Sequence, residues 1–348
     1  MNISTLGIDL AKNVFQLHGV DADGRVVLRK QLRRSQMAEY FVKLPPCLIG
    51  MEACGSAHYW ARKLQAYGHT VRLMAPQFVK PYVKTNKNDA ADAEAICEAV
   101  ARPNMRFVAI KSAEQQALLA LHRARSGLVK ARTALANQMR GLLAEFGLTL
   151  AQGIAHIARI PEIIEDASVE LPGSFRLLLQ SLHEHFGQLN EHIKAQEQQI
   201  KAGAGADLAV QRQLQQIPGI GPITSSAFIA TVGSVKDFAS GRQLAAWLGL
   251  VPGQSSSGGK QQLLGISKRG DKYLRTLLIH GARSVIQANE RRRQAGLSSD
   301  VWLDALAQRR HKNIAAVALA NKSVRIIWAM LTHGRAYEPG YAASRAPA

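Results

Sequence analysis

The order of apolar runs in the first hundred residues limits the fold of this chain more than any other feature. Residues 4–33 hold three β-rich runs, TLGIDLA, VFQLHGVD and VVLRKQL, and the turn-forming Asp21-Ala22-Asp23-Gly24 joins the second to the third. That pattern predicts a three-stranded meander. A helical stretch over residues 35–44 leads to the strand CLIGMEA, the helix SAHYWARKLQAYG, the strand TVRLMAP and a helix over 89–101. Carboxylates punctuate this order: Asp9 in the first strand, Glu52 at the end of the fourth, and Asp89 with Asp92 three apart on one face of the last helix.

The order βββαβαβα is that of an α/β RNase H-like domain. Acids drawn together from distant chain positions repel one another unless a cation is present, and hard divalent cations prefer carboxylate oxygens. A pair of Mg²⁺ ions about 3.5–4 Å apart can neutralise an attacked phosphate and hold the attacking and leaving oxygens in line. Taken singly, Asp9 reads as a strand-end residue, Glu52 as a helix cap, and Asp89 and Asp92 as first-turn acids favoured by the helix dipole. All four at the matching positions of one fold favour a metal site and phosphodiester chemistry.

The charge agrees with such a substrate. Lys and Arg number 44 against 25 Asp and Glu, a formal charge of +19, so a polyanionic partner is expected. No apolar run is read as approaching the roughly twenty residues of a spanning helix, and MNISTLGIDLAK lacks the regions of a signal peptide. The expectation is no membrane and a cytoplasmic address. Cys47, Cys54 and Cys97 form no C-x-x-C pair and read as buried, reduced thiols. The absence of a G-x-x-x-x-G-K-[ST] loop argues against a nucleotide cofactor.

Beyond residue 111 the pattern turns helical. Leu121, Leu128, Leu135 and Leu142 recur every seven residues beside Ala117, Ala124 and Ala131, the mark of a coiled-coil arm over residues 112–205. A second helix after Pro172-Gly173 carries Phe175, Leu179, Leu182, Phe186, Leu189, Ile193 and Ile200. The two are expected to pair antiparallel or to meet a second subunit.

The mainly α region at 206–335 contains Pro218-Gly219-Ile220-Gly221, similar to the hairpin of a helix-hairpin-helix motif, where Gly219 and Gly221 could hold a phosphate through backbone N–H groups. A Gly/Ser-rich loop over residues 252–259 follows, and a hydroxyl beside cationic residues is a candidate nucleophile. Lys268, Arg269 and Arg275 are the cations expected to grip phosphate, with Lys84 and Lys87 guiding nucleic acid toward the acids. His58 and His280 read as packing or hydrogen-bonding residues, and residues 336–348 as a disordered tail.

Together, GIDLAK, MEACGSAHYW, KNDAADAEAI, PGIGPITSSAFIATVG, LAAWLGLVPGQSSSGGK and GISKRGDKYLR resemble the DEDD insertion-sequence transposases of the insertion-sequence-one-ten group, which includes pilin-gene invertases. The later part is closer to the one-eleven-eleven subgroup. The resemblance implies a RuvC-like N-terminal domain, a coiled-coil arm and a C-terminal transposase domain. It implies that Asp9, Glu52, Asp89 and Asp92 hold Mg²⁺, with Mn²⁺ an alternative. Ser257 would form a covalent 5′-phosphoserine link to DNA, with Ser256 the alternative because three consecutive serines blur the alignment by a residue. It further implies donor and target DNA, a structured non-coding bridge RNA, and a homo-oligomer, from dimer to tetramer, with active sites shared between subunits.

Two other readings compete. A structure-specific nuclease of the Holliday-junction-resolvase kind would use the four acids with water and leave the serine dispensable. A non-catalytic nucleic-acid-binding protein would need neither.

Overall fold

The computed structural model describes residues 2–84, 88–203 and 208–339, and the chain divides into two compact units, Met1–Ala113 and Glu114–Ala348. The first unit is built on a six-stranded sheet of order β3-β2-β1-β4-β5-β6. Strands β1 (Thr5–Leu10), β2 (Val14–Val20) and β3 (Val26–Arg33) form the antiparallel meander, which the sequence pattern anticipates. Between β3 and β4 (Leu48–Glu52) lies α1 (Met37–Lys43), and α2 (Ala57–Ala66) leads into β5 (Thr70–Met74). β4 runs parallel to both β1 and β5. The short α3 (Pro76–Val79) precedes α4 (Asp89–Val100), and a two-residue edge strand, β6 (Phe107–Val108), pairs antiparallel with β5. That edge strand is too short to leave an alternation in the sequence.

Both faces of the central strands are covered, which is why β1 and β4 read as nearly continuous apolar runs. Ile8, Ile49, Met51 and Leu73 pack with Phe41, Trp60 and Leu64 of α1 and α2. On the other face α4 lies directly on the sheet. A Cβ on Gly7 would stand 2.2 Å from the Ala93 carbonyl oxygen and 2.4 Å from the Cys97 nitrogen, and one on Gly50 would stand 2.7 Å from Cβ of Val100. Glycine at these two positions is therefore a packing requirement.

The second unit opens with α5 (Ala113–Ala144), followed by α6 (Ile160–Glu165) and α7 (Gly173–Lys201). Arg125 pairs with Glu197 and Arg132 with Asn190, so α5 and α7 run antiparallel within one chain. Of the heptad seam, Leu135 is buried, Leu128 and Leu142 pack against the same cluster and Leu121 packs beside Leu118 and Ile200, whereas Ala124 and Ala131 are exposed. At the far end Arg176 donates to the carbonyls of Ile163, Ile164, Asp166, Val169 and Leu171 and so caps α6.

The rest of this unit comprises α8 (Leu208–Leu214), α9 (Pro222–Val232), α10 (Gly241–Trp247), the strands β7 (Pro252–Gln254) and β8 (Leu263–Ile266), α11 (Lys272–Gln294), α12 (Val301–Arg309) and α13 (Lys312–His333). One core joins Phe228, Leu244, Leu248, Leu274, Leu278, Val324 and Ile327. The 22 residues of α13 are long and apolar enough to cross a membrane by length and composition, contrary to the sequence reading. Its Ala316, Ala320, Val324 and Ile327 instead sit in this core. Residues 340–348 of the expected tail, the 206 boundary and Lys87 lie outside the described residues.

Candidate active site

Alternation along β1 puts Asp9 on the face of Gly7, the face that α4 covers. Because α4 is seated with Cys97 and Ala93 over Gly7, its first turn reaches the carboxyl end of β1. Asn88 caps that turn by accepting from the Ala91 N–H at 2.8 Å, and the free N–H groups of the turn favour the acids there. The result is a cluster in which one oxygen each of Asp9, Asp89 and Asp92 lie within 4.8 Å of one another. Asp9 and Asp92 are half-buried and Asp89 is exposed, leaving an open side for a substrate.

Glu52 is not part of this group of three. It follows the last register pair of β1 and β4, Ile8 with Met51, and so stands beside Asp9 on the adjoining strand. The thiol of Cys54 is raised in pKa by desolvation and then by the charges of Glu52 and Asp9, which places both acids near it. Cys47 and Cys97 are buried as expected, but Cys54 is exposed. Three hard carboxylate donors at this separation fit an oxygen-preferring divalent cation such as Mg²⁺ or Mn²⁺ and offer no thiolate or imidazole for zinc.

The serine-rich stretch is not a loop. Ser255 N–H donates to Gln262 O at 3.0 Å, Ser257 bridges to Lys260, and Lys260 N–H donates to Ser257 O at 3.0 Å. Gly258 and Gly259 have φ of 55° and 77°, the two left-handed residues that a tight hairpin turn requires. Ser256 Oγ accepts from Gln254 Nε2 at 2.9 Å and from Gln262 N–H at 3.3 Å. Ser257 Oγ has no hydrogen-bond partner among the described residues and sits exposed beside the turn.

The hairpin is rooted in a tightly packed backbone junction. A Cβ on Gly249 would lie 2.2 Å from Arg269 O, and Ser267 N–H donates to Val251 O at 2.8 Å. Lys268 adopts a left-handed φ of 54°, and the side chains of Lys268 and Arg269 are exposed. Arg275 behaves otherwise. It is 8% exposed, and its Nη1 donates to Leu248 O at 3.0 Å and Arg269 O at 2.7 Å. Its guanidinium braces the junction and is not offered to phosphate.

Two further sequence expectations change. Lys84 bonds Glu94 at 3.5 Å and Glu98 at 3.1 Å, which holds it against α4. Gly219, with φ of 84°, meets α11, where a Cβ would be 2.8 Å from Gly281 O, so close packing accounts for this glycine. Gly221 precedes α9 with an exposed, extended backbone and open space around it. His58 Nδ1 accepts from the Lys111 N–H at 3.2 Å, a hydrogen-bonding role as expected, whereas His280 is exposed.

The family model described as "Transposase IS116/IS110/IS902 family" matches residues 211–296, and a DEDD model described as "Transposase" matches residues 6–147. The chain is 54% identical to the "Probable family 20 transposase" of Pseudomonas aeruginosa, over 98% of this chain and all of that protein. It is 45% identical to the transposase for insertion sequence element IS1328 of Yersinia enterocolitica, covering 97% of this chain and 99% of the relative. To the transposase for IS1111A of Coxiella burnetii it is 45% identical, with coverage of 97% and 92%. The chain belongs to the IS110/IS116/IS902 family of DEDD transposases, which cut and rejoin DNA to move insertion sequences.

Proposed function

We propose that this transposase is Mg²⁺-dependent, that its first unit is an RNase H-like, RuvC-like domain, and that it works through a 5′-phosphoserine intermediate on Ser257. The gathering of Asp9, Asp89 and Asp92 within 4.8 Å carries the reading, and the strand order with β1 flanked by β2 and β4 supports the domain assignment. A divalent ion held by Asp9, Asp89 and Asp92, with Glu52 alongside, would supply charge neutralisation at the scissile phosphate.

The chain's own residues do the rest. Ser257 Oγ attacks phosphorus, the bond to the DNA 3′ oxygen breaks, and that oxygen takes up the proton the serine loses. The products are a serine 5′-phosphodiester and a free 3′-hydroxyl. Attack by a 3′-hydroxyl of the exchanged strand reverses the step and returns the serine hydroxyl. The linkage conserves the energy of the broken bond, so nucleotide hydrolysis is not required. Ser256 is the less suitable nucleophile because Gln254 and Gln262 already occupy its hydroxyl.

The subgroup is that of one-eleven-eleven, supported by 45% identity to the IS1111A protein against 25% to an IS110 protein. Family resemblance and the +19 charge support a structured guide RNA as a partner beside donor and target DNA, and a homo-oligomeric assembly. The test is to incubate the protein with element-end DNA, target DNA, the flanking non-coding RNA and Mg²⁺, comparing wild type with Asp9→Ala, Ser257→Ala and Ser256→Ala. Adduct and rejoined product should vanish in the first two variants and persist in the third. Cleavage that survives Ser257→Ala without an adduct would instead identify a nuclease using water.

A further inference from the structure

Helix α12 has little apolar reason to lie where it does. Of its nine residues only Leu303 is buried, while Val301 is 81% exposed and the preceding Leu297 61%. What holds it is a polar clamp. Asn289 of α11 accepts from the Asp300 N–H at 2.7 Å and donates to Asp304 at 2.8 Å, Asp304 also accepts from Ser299, and Asp300 caps the helix through the Leu303 N–H at 3.0 Å. Arg283 reaches Asn313 at 3.1 Å and ties the start of α13 to the same helix.

Cations flank this clamp in the sequence. Residues 290–313 contain Arg291, Arg292, Arg293, Arg309, Arg310 and Lys312 against Glu290, Asp300 and Asp304. Glu290 is paired with Arg293 at 2.7 Å, and the two aspartates are occupied in the clamp. Arg291, Arg292, Arg309, Arg310 and Lys312 are all exposed and have no acidic partner among the described residues. Arg292 and Arg309 use only Nε, on the carbonyls of Ser298 and Ala305, a contact that steadies each side chain and leaves its terminal nitrogens for another acceptor. Helix α12 lies beyond the stretch at 211–296 that matches the family model.

We propose that the end of α11, helix α12 and the turn into α13 form a docking surface for the phosphate backbone of duplex DNA. The proposal rests on the transposase reading for its choice of polyanion. An array of arginines on elements held by polar caps suits positioning contacts to phosphate, which carry no base sequence information. Such contacts weaken binding alike for all sequences when removed and make affinity fall with salt.

The experiment uses the full chain in EDTA with a fluorescent duplex of arbitrary sequence, titrated over a range of NaCl. Combining Arg291→Gln, Arg292→Gln, Arg309→Gln and Arg310→Gln should weaken binding about tenfold or more and reduce the salt slope by about two to four, near 0.9 per lost phosphate contact. The same four positions changed to Lys should keep most of the slope, because lysine retains the point charge. A control, Lys130→Gln with Lys194→Gln and Lys201→Gln on α5 and α7, should change the slope less. Equal loss in the two glutamine sets would overturn the proposal, as would a loss confined to RNA duplex or to an acidic peptide. Because no cleavage occurs in EDTA, Asp9→Ala and Ser257→Ala report on the chemistry separately, and failure of one reading leaves the other testable.

Discussion

Gly7 lies opposite Gly50 in the parallel register of β1 and β4, and both form the floor on which α4 rests. Neither has a side chain to lift the helix, so backbone meets backbone at Gly7 and Val100 covers Gly50. Two residues beyond Gly7 is Asp9, and one turn before Ala93 is Asp89. The approach of the helix therefore decides the approach of the acids.

Gly7→Ala should separate them. The new Cβ would meet the Ala93 carbonyl and the Cys97 nitrogen, and backbone atoms yield less readily than a flexible side chain. We expect a stability loss of about 1–3 kcal/mol, the usual cost of overpacking, together with weaker divalent-ion binding. Gly50→Ala meets the Val100 side chain and should cost less. Urea unfolding and Mn²⁺ titration of the two variants check the order.

Asp9→Asn and Asp92→Asn each remove one charge from a cluster of three carboxylates. Without divalent ions such a cluster repels itself, so either variant should melt at the same temperature as wild type or higher in EDTA. Added Mg²⁺ should raise the melting temperature of wild type and not of the variants, since an ion that binds only the folded state stabilises it by mass action. Removal of divalent ions should stop DNA cutting by wild type. A melting curve in EDTA and in Mg²⁺ for each protein decides the matter.

The legible parts of this fold are those set by local rules. Strand runs bounded by turn residues, the acids at strand ends and the pair three apart on one helix face all follow from spacing, and the structure brings three of the four acids together. What escaped the sequence depends on contacts far apart in the chain. Arg275 reads as one more cation in a basic segment, and only the fold reveals that Leu248 and Arg269 bury it. The Gly258-Gly259 step could have announced a hairpin, but the flanking serines and glutamines lack the β-branched alternation that marks strands. Helix α12, built on a hydrogen-bonded clamp, left no apolar period to find.

Arg275→Gln tests that reassignment. Loss of the guanidinium leaves the carbonyls of Leu248 and Arg269 without their donor in a buried site, which typically costs about 1–3 kcal/mol. Stability should fall by that amount, while the salt slope for duplex DNA should stay within error of wild type, since a buried cation releases no counterion. A slope reduced by about one with stability intact would restore Arg275 to the phosphate contacts.

His122 gives the base of the arm a pH dependence. It is 1% exposed on α5, with Nδ1 3.1 Å from the hydroxyl of Tyr273 on α11 and Nε2 3.1 Å from that of Ser226 on α9. Burial, with a smaller contribution from the charge of Arg125, lowers its pKa to about 4. The unfolded chain binds this proton near pH 6.5 and the folded chain near 4, so below 6.5 the unfolded state takes up more protons. Stability from this group is fully present above pH 6.5, falls as pH drops toward 4, and levels off below it, a total of roughly 3 kcal/mol. His122→Gln keeps hydrogen-bonding capacity and lacks the titration. Between pH 7 and 4.5 wild type should therefore lose roughly 2–3 kcal/mol more than the variant in urea unfolding. Parallel curves for the two proteins would mean that His122 is charged, or free to open, in the folded state.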